Sequence, residues 1–408
     1  MIDENYKIDS KFSKLVNFKK NLDIPFHRWF NIKEGYASDL VKFFIDNQKI
    51  KDGYVVDFFS GSGTTALTAK HHNLNYFGCE INPFLYLLSK VKLYDFDSSD
   101  IEKLVNLKKQ IFNKSSGEHE ELKLSISKKV FGNNYQTLLE LRTNILRIKN
   151  KKYRNFFIIN LCSILEKIGS AKKDGNGLKY PKSKKINDLK ESFDFQFQLM
   201  ISDILSSKHQ NILGSQIIKA DSRNIPEENL KMIEGKTSLV IFSPPYANCF
   251  DYTEVYKLEL WVSGLVKEYS NLKEIRNDSL SSHLNKTYVN SKSHELIVNE
   301  ISQLSEKKLW SNKIIHMLNE YFFDMEKIIN NSYRILKNNG CCVIVVGNSA
   351  YSGIVIQTDL ILTKIAKNIG FKSCEIKIAR KLRASSQQSK FLSFNNNNLR
   401  ESILILKK

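Results

Sequence analysis

The stretch from Tyr54 to Pro83 constrains this chain more than any other. YVVDFF is a short apolar run with the length and composition of a buried parallel strand. GSGTTALTAKHHN follows as a glycine-rich turn that opens a helix, and NYFGCEINP supplies a second strand ending in an acid, Glu80. Strand, glycine turn, helix, strand and acid together make one half of a dinucleotide-type α/β unit. Strand patterns that continue the sheet come much later, in SQIIKADSRNIP, TSLVIFSPPY, CCVIVVGNS, FKSCEIKIARK and ESILILKK. The expectation is one α/β sheet interrupted twice rather than several separate domains.

Three segments follow from that reading. Residues 1–95 hold an N-terminal segment and the first half of the sheet, with IPFHRWFNIKEGYASDLVKFFIDNQKI as a loop followed by an amphipathic helix. Residues 84–215 read as mostly helical and polar, and the insertion proper is placed at 96–212. Residues 213–408 complete the sheet, with a smaller polar insertion at about 265–315. DYTEVYKLELWVSGL is expected to be a helix, and the last two strands should pair across a long polar loop containing Asn395–Asn398.

Composition bounds the function. The 408 residues are 26% charged and 42% hydrophobic, which excludes fibres, collagen and small disulfide scaffolds. No apolar run reaches the ~18 residues of a membrane span, and the polar start MIDENYKIDSKFSK has no signal-peptide core. The six cysteines show no CxxC spacing. A reduced, cytoplasmic protein without a metal site is therefore expected, as monomer or dimer.

Lys and Arg number 62 against 43 Asp and Glu, a net charge of +19. A polyanionic partner is one reason for such an excess, and a genome-wide bias toward Lys is the other. Residues 147–185 carry 12 Lys and Arg opposed only by Glu166 and Asp174. A uniform bias would not concentrate charge in this way. The loop GSAKKDGNGLKYPKSKK reads as flexible, with Lys172, Lys173, Lys184 and Lys185 as phosphate contacts. ARKLRASSQQSK offers Arg380, Lys381, Arg383 and Lys390 as either a second phosphate-contact loop or an ordinary solvated one.

The chemistry concentrates at strand ends. In DFFSGSGTT, Gly61 and Gly63 permit close ligand approach, the following helix aims free N–H groups at the ligand, and Asp57 suits an ammonium. GxxxxGK[ST] is absent, so a P-loop is disfavoured. Glu80 lies at the offset where such folds bind ribose hydroxyls. Asp221 ends the next strand and suits either an adenine amino group or a local turn. SPPY, Ser243–Tyr246, carries the strongest signal. Pro244 and Pro245 fix the backbone and remove two donors while leaving carbonyl acceptors. Ser243 adds a hydroxyl, and Tyr246 adds a ring on which a base can stack.

DFFSGSGTT together with SPPY resembles the S-adenosylmethionine-dependent DNA amino-methyltransferases, whose cofactor loop is DxFxGSGTT and whose catalytic loop is (D/N/S)PP(Y/F/W). Serine in the first position resembles the cytosine-N4 branch. The cofactor loop here precedes the catalytic loop, whereas cytosine-N4 enzymes often have the reverse order. The resemblance covers about 20–95 and 215–408.

That resemblance implies a class I methyltransferase fold, a Rossmann-like, mostly parallel seven-stranded sheet with a terminal antiparallel hairpin. It implies S-adenosylmethionine as cofactor, with Asp57 and the loop Phe58, Phe59, Gly61, Ser62, Gly63 and Thr64 at its methionine part. Glu80 would bind the ribose, Ile81 the adenine ring and Asp221 the adenine amino group. FHRWF resembles the variable segment that contacts the methionine carboxylate, so Trp29 and Phe30 are either cofactor contacts or core aromatics. The implied partners are double-stranded DNA, whose target cytosine flips out for N4 methylation at Ser243–Tyr246, and a cognate restriction endonuclease. Adenine-N6 methylation, an RNA substrate and a catalytically dead DNA-binding core are the rivals.

Overall fold

The computed structural model describes residues 8–113, 119–175, 177–207, 214–288, 292–383 and 399–408. Lys390 and the expected loop at Asn395–Asn398 lie outside them.

The central sheet has seven strands: β1 (Tyr54–Asp57), β2 (Asn75–Cys79), β3 (Gln216–Ile218), β4 (Thr237–Phe242), β5 (Leu336–Gly347), β6 (Ser373–Lys381) and β7 (Arg400–Lys407). Their spatial order is β6-β7-β5-β4-β1-β2-β3. Neighbours from β3 to β5 are parallel, while β7 runs antiparallel to both β5 and β6. The fold is therefore the Rossmann-like methyltransferase sheet with its terminal antiparallel hairpin.

Both faces of the sheet are covered, which is why its strands read as continuous apolar runs. Val55, Leu239, Ile241, Val343 and Val345 point to one side, where α1 (Ser38–Asn47) and α2 (Thr64–His71) pack. Val56, Val240, Phe242, Ile344 and Val346 alternate to the other, beneath α8 (Lys313–Ile335) and α9 (Thr358–Ile369).

The region between β2 and β3 departs from its polar reading. It contains α3 (Pro83–Lys92), α4 (Ser98–Asn113), α5 (Tyr135–Leu146), α6 (Lys151–Ser163) and α7 (Leu189–Ser206) around a core of its own. Phe157 stacks against Phe193 and Phe197, with ring centroids 6.3 and 6.0 Å away. The surface lysines dilute the composition, but one face of each helix is apolar. The basic loop also departs from expectation. Lys172–Asp174 pairs with Gly177–Lys179 as a short antiparallel hairpin. DYTEVYKLELWVSGL forms two short helices, Tyr252–Val255 and Lys257–Val262, rather than one.

Candidate active site

Five parallel strands present their carboxyl ends at one edge, the place where open α/β sheets bind ligands. Four of the sequence motifs meet there. Gly61 and Gly63 adopt φ of 50° and 79°, conformations that a side chain would oppose, and Gly63 caps α2. A Cβ on Gly61 would lie 3.2 Å from Ile32, inside the cradle between loop and N-terminal segment.

Two buried carboxylates brace this loop. Glu80 accepts the Gly61 N–H at 2.7 Å on one oxygen and the Asn82 N–H at 2.8 Å on the other. Burial pushes its pKa up to about 7. Asp57 accepts from the Tyr36 hydroxyl at 2.8 Å, the Thr65 hydroxyl at 2.7 Å and the Phe59 N–H at 2.9 Å. Burial raises it to about 6 against the pull of those bonds. Tyr36, which organises Asp57, carries no motif signature in the sequence.

Ser243–Tyr246 leaves β4 beside the glycine loop. The Tyr246 hydroxyl lies 3.5 Å from the Ser243 hydroxyl and donates to Glu401 at 2.7 Å. Arg380 holds the other Glu401 oxygen at 2.5 Å. Glu401 reaches this edge because β7 is antiparallel, so its first residues stand opposite Gly347 at the end of β5. The Tyr246 ring lies against Gly347, where a Cβ would come within 2.8 Å of two ring carbons.

Two adjoining cavities result. The larger, about 350 Å³, is lined by Glu34, Tyr36, Tyr246, Arg380 and Glu401. The other is lined by Phe59, Gly61, Glu80, Ile81, Pro245 and His283. Ile32, Glu34 and Ser243 line both. Ser243 thus stands at the junction between a carboxylate-and-apolar pocket and a pocket built around a tyrosine.

The sequence family described as DNA methylase matches residues 30–91, the span of the N-terminal loop, glycine turn and Glu80. The type II methyltransferase M.BsoBI of Geobacillus stearothermophilus is 28% identical across 97% of this chain and 88% of its own. M.AvaI of Nostoc sp. is 27% identical across 93% and 86%, and M.MvaI of Kocuria varians 22% across 90% and 88%. The chain is thus similar to DNA methylases in its cofactor-loop half and to type II methyltransferases over most of its length. The alignments run through the helical region between β2 and β3, so that region is shared with these relatives.

Several candidate residues sit elsewhere than the amino-methyltransferase motifs suggested. Trp29 is 1% exposed, donates its indole N–H to Asp203 at 2.9 Å and packs on Phe26. Phe30 packs on Phe84 and Tyr256. Both are core aromatics, the second of the two sequence readings. Phe58 is buried against Phe242, Ser62 and Thr64 are buried within the loop, and Phe59 and Gly61 line the second of the two cavities. Pro244 is buried between half-buried Ser243 and Pro245. Asp221 is ion-paired with Arg223 at 2.8 Å, and Arg223 continues to Asp324 at 3.0 Å.

The basic candidates divide in two. Lys172, Lys185, Lys381 and Arg383 are exposed. Lys173 is 3% exposed, pairs with buried Glu259 and lies 4.5 Å above the Phe30 ring. Lys184 donates to the Gly169 carbonyl at 2.7 Å and to those of Glu166 and Ala171. These two lysines fasten the hairpin to the helices and are not surface contacts. Arg380 is engaged with Glu401 at the larger cavity. Pairing of this kind is decided by which residues the fold brings close, which composition does not report.

Proposed function

We propose that this chain transfers a methyl group from S-adenosylmethionine to the exocyclic N4 amine of cytosine in duplex DNA, as the modifying half of a restriction–modification system. The observation that carries the reading is the position of Ser243. It begins a rigid Pro-Pro loop and lines both cavities, so one pocket can hold the methyl donor and the other the amine. Similarity to the DNA methylase family and to type II methyltransferases supports methylation of DNA, and the serine of SPPY supports the cytosine amine over the adenine one.

The residues fit the cofactor. A buried carboxylate, Glu80, suits ribose hydroxyls, Ile81 offers an apolar surface, and the Gly61 cradle is one that a Cβ would fill. When bound, the cofactor supplies an electrophilic methyl on a sulfonium. The chain's own work is positioning. An amine paired in the duplex is out of reach, so the base must leave the stack, at a cost of a few kcal/mol. The Tyr246 ring, held by Glu401 and Gly347, offsets part of that cost by contact with the base. The Ser243 hydroxyl and the Pro244 carbonyl accept the amine's two N–H groups, which directs the nitrogen lone pair toward the methyl. Lys172, Lys185, Lys381 and Arg383 supply phosphate contacts outside the pocket.

Nucleoside analysis of DNA from a host expressing the chain tests this reading. N4-methylcytosine at a defined site is expected. N6-methyladenine would transfer the reading to the adenine branch, and unmodified DNA together with methylated RNA would overturn it.

A further inference from the structure

We infer that His283 is a cofactor-contact residue of the methyl-transfer site, hydrogen-bonding the nucleoside part of S-adenosylmethionine from the wall of the cavity that Glu80 also lines. This inference rests on the proposed methyltransferase reading and adds a residue that no motif contains.

His283 lies in the second inserted region, on the segment following the helix Tyr269–Asp278. Its side chain lines the cavity that Glu80, Ile81, Gly61 and Pro245 also line. It is only 3% exposed, yet neither ring nitrogen has a hydrogen-bond partner among the described residues. Leaving both nitrogens of a buried imidazole unpaired costs folding free energy, so a protein that retains one has a use for it. The cavity is where that use would arise.

The segment is built to hold the ring still. The Ser281 N–H donates to Asp324 at 3.1 Å, Lys286 to the Ser279 carbonyl at 2.7 Å, and Asn285 to Asp251 at 2.7 Å. Tyr288 donates to the carbonyl of His283 itself. Arg276 fixes Asp251 from the preceding helix at 3.0 Å. The backbone of His283 is thus anchored while its side chain is not.

Chemistry selects the nucleoside. Burial, Lys286 and Arg276 lower the imidazole pKa, opposed by Asp251, so the ring is neutral near pH 7. A neutral imidazole offers one donor and one acceptor. That pair matches ribose hydroxyls and adenine ring atoms. It does not match the carboxylate or ammonium of the methionine end, which call for charge. The cavity also contains the two residues already proposed for ribose and adenine.

The test is calorimetry of S-adenosylmethionine and S-adenosylhomocysteine binding to wild type and to His283→Leu, His283→Asn and His283→Gln. Leucine should leave the free protein at least as stable, because an unpaired polar group is replaced by an apolar one. It should also weaken both ligands by about tenfold, one to two hydrogen bonds' worth. Equal loss for the uncharged homocysteine form places the contact away from the sulfonium. Asparagine or glutamine, each retaining one ring-nitrogen equivalent, should recover part of the loss. Unchanged affinity in His283→Leu overturns the inference. So does unchanged cofactor affinity with weakened DNA binding, which would assign the residue to the target base. A wild type that binds neither ligand would overturn the methyltransferase reading itself.

Discussion

Gly347→Ala is the sharpest test of how the catalytic loop is positioned. Gly347 ends β5, and its φ lies outside the left-handed region, so alanine suits the backbone there. The obstacle is spatial. The added Cβ would sit 2.8 Å from Cδ2 and Cε2 of Tyr246 and 2.9 Å from Leu382. Ordinary contact requires about 3.4 Å or more, so the ring must retreat by roughly 0.6 Å. It has little freedom to do so. Its hydroxyl is bonded to Glu401 at 2.7 Å, and Glu401 is itself held by Arg380 and paired across the sheet with Gly347. Overpacking of this kind costs about 1–3 kcal/mol of stability. A sub-ångström displacement of a positioning ring should lower turnover by about tenfold to a hundredfold. Cofactor affinity should hold, because Gly347 lines neither cavity. The assay is single-turnover methyl transfer to duplex DNA, with cofactor binding and thermal unfolding measured on the same preparation. Wild-type turnover in a folded Gly347→Ala protein would refute the claim that Tyr246 is placed by the end of β5.

Four further outcomes are expected. Lys173→Ala should destabilise the protein by about 3–5 kcal/mol, because it leaves Glu259 charged and buried without its partner. Neutralising Lys172 and Lys185 together should leave unfolding unchanged while reducing the salt slope of DNA binding by up to about one log-log unit per lost phosphate contact; an unchanged slope would make the hairpin a solvated surface. Glu80 has a folded pKa near 7 against an ordinary 4.5, so its contribution to stability is complete below about pH 4.5 and disappears as pH rises through 7. Wild type should therefore lose up to about 3 kcal/mol relative to Glu80→Gln across that interval in the absence of cofactor, and parallel stability curves for the two proteins would contradict the raised pKa. Asp57→Ala and Glu80→Ala should each weaken S-adenosylmethionine binding by calorimetry, since both brace the glycine loop, and unchanged affinity in both would displace the cofactor site.

What the sequence alone determined is local. Gly61 and Gly63 dictate a turn that only glycine tolerates, and Pro244 and Pro245 dictate a rigid loop after β4. Apolar runs of strand length dictate a sheet buried on both faces. Each follows from the covalent character of a few neighbouring residues, so the order of the sheet's strands along the chain and the loops at its carboxyl edge were legible. The tertiary structure decided which distant residues complete that edge. Glu401 meets Tyr246 across 155 positions only because β7 enters the sheet antiparallel. Tyr36 reaches Asp57 from the N-terminal segment, and His283 enters the same cavity from an inserted segment. Lys173 and Lys184 resemble any other lysine in a basic run until the fold supplies Glu259 and three carbonyls. Trp29 and Phe30 fitted a ligand or a core equally well until Asp203, Phe84 and Tyr256 surrounded them. A hydrogen bond or ion pair depends on distances of a few ångströms between atoms far apart in the chain, and those distances exist only once the sheet and helices have packed.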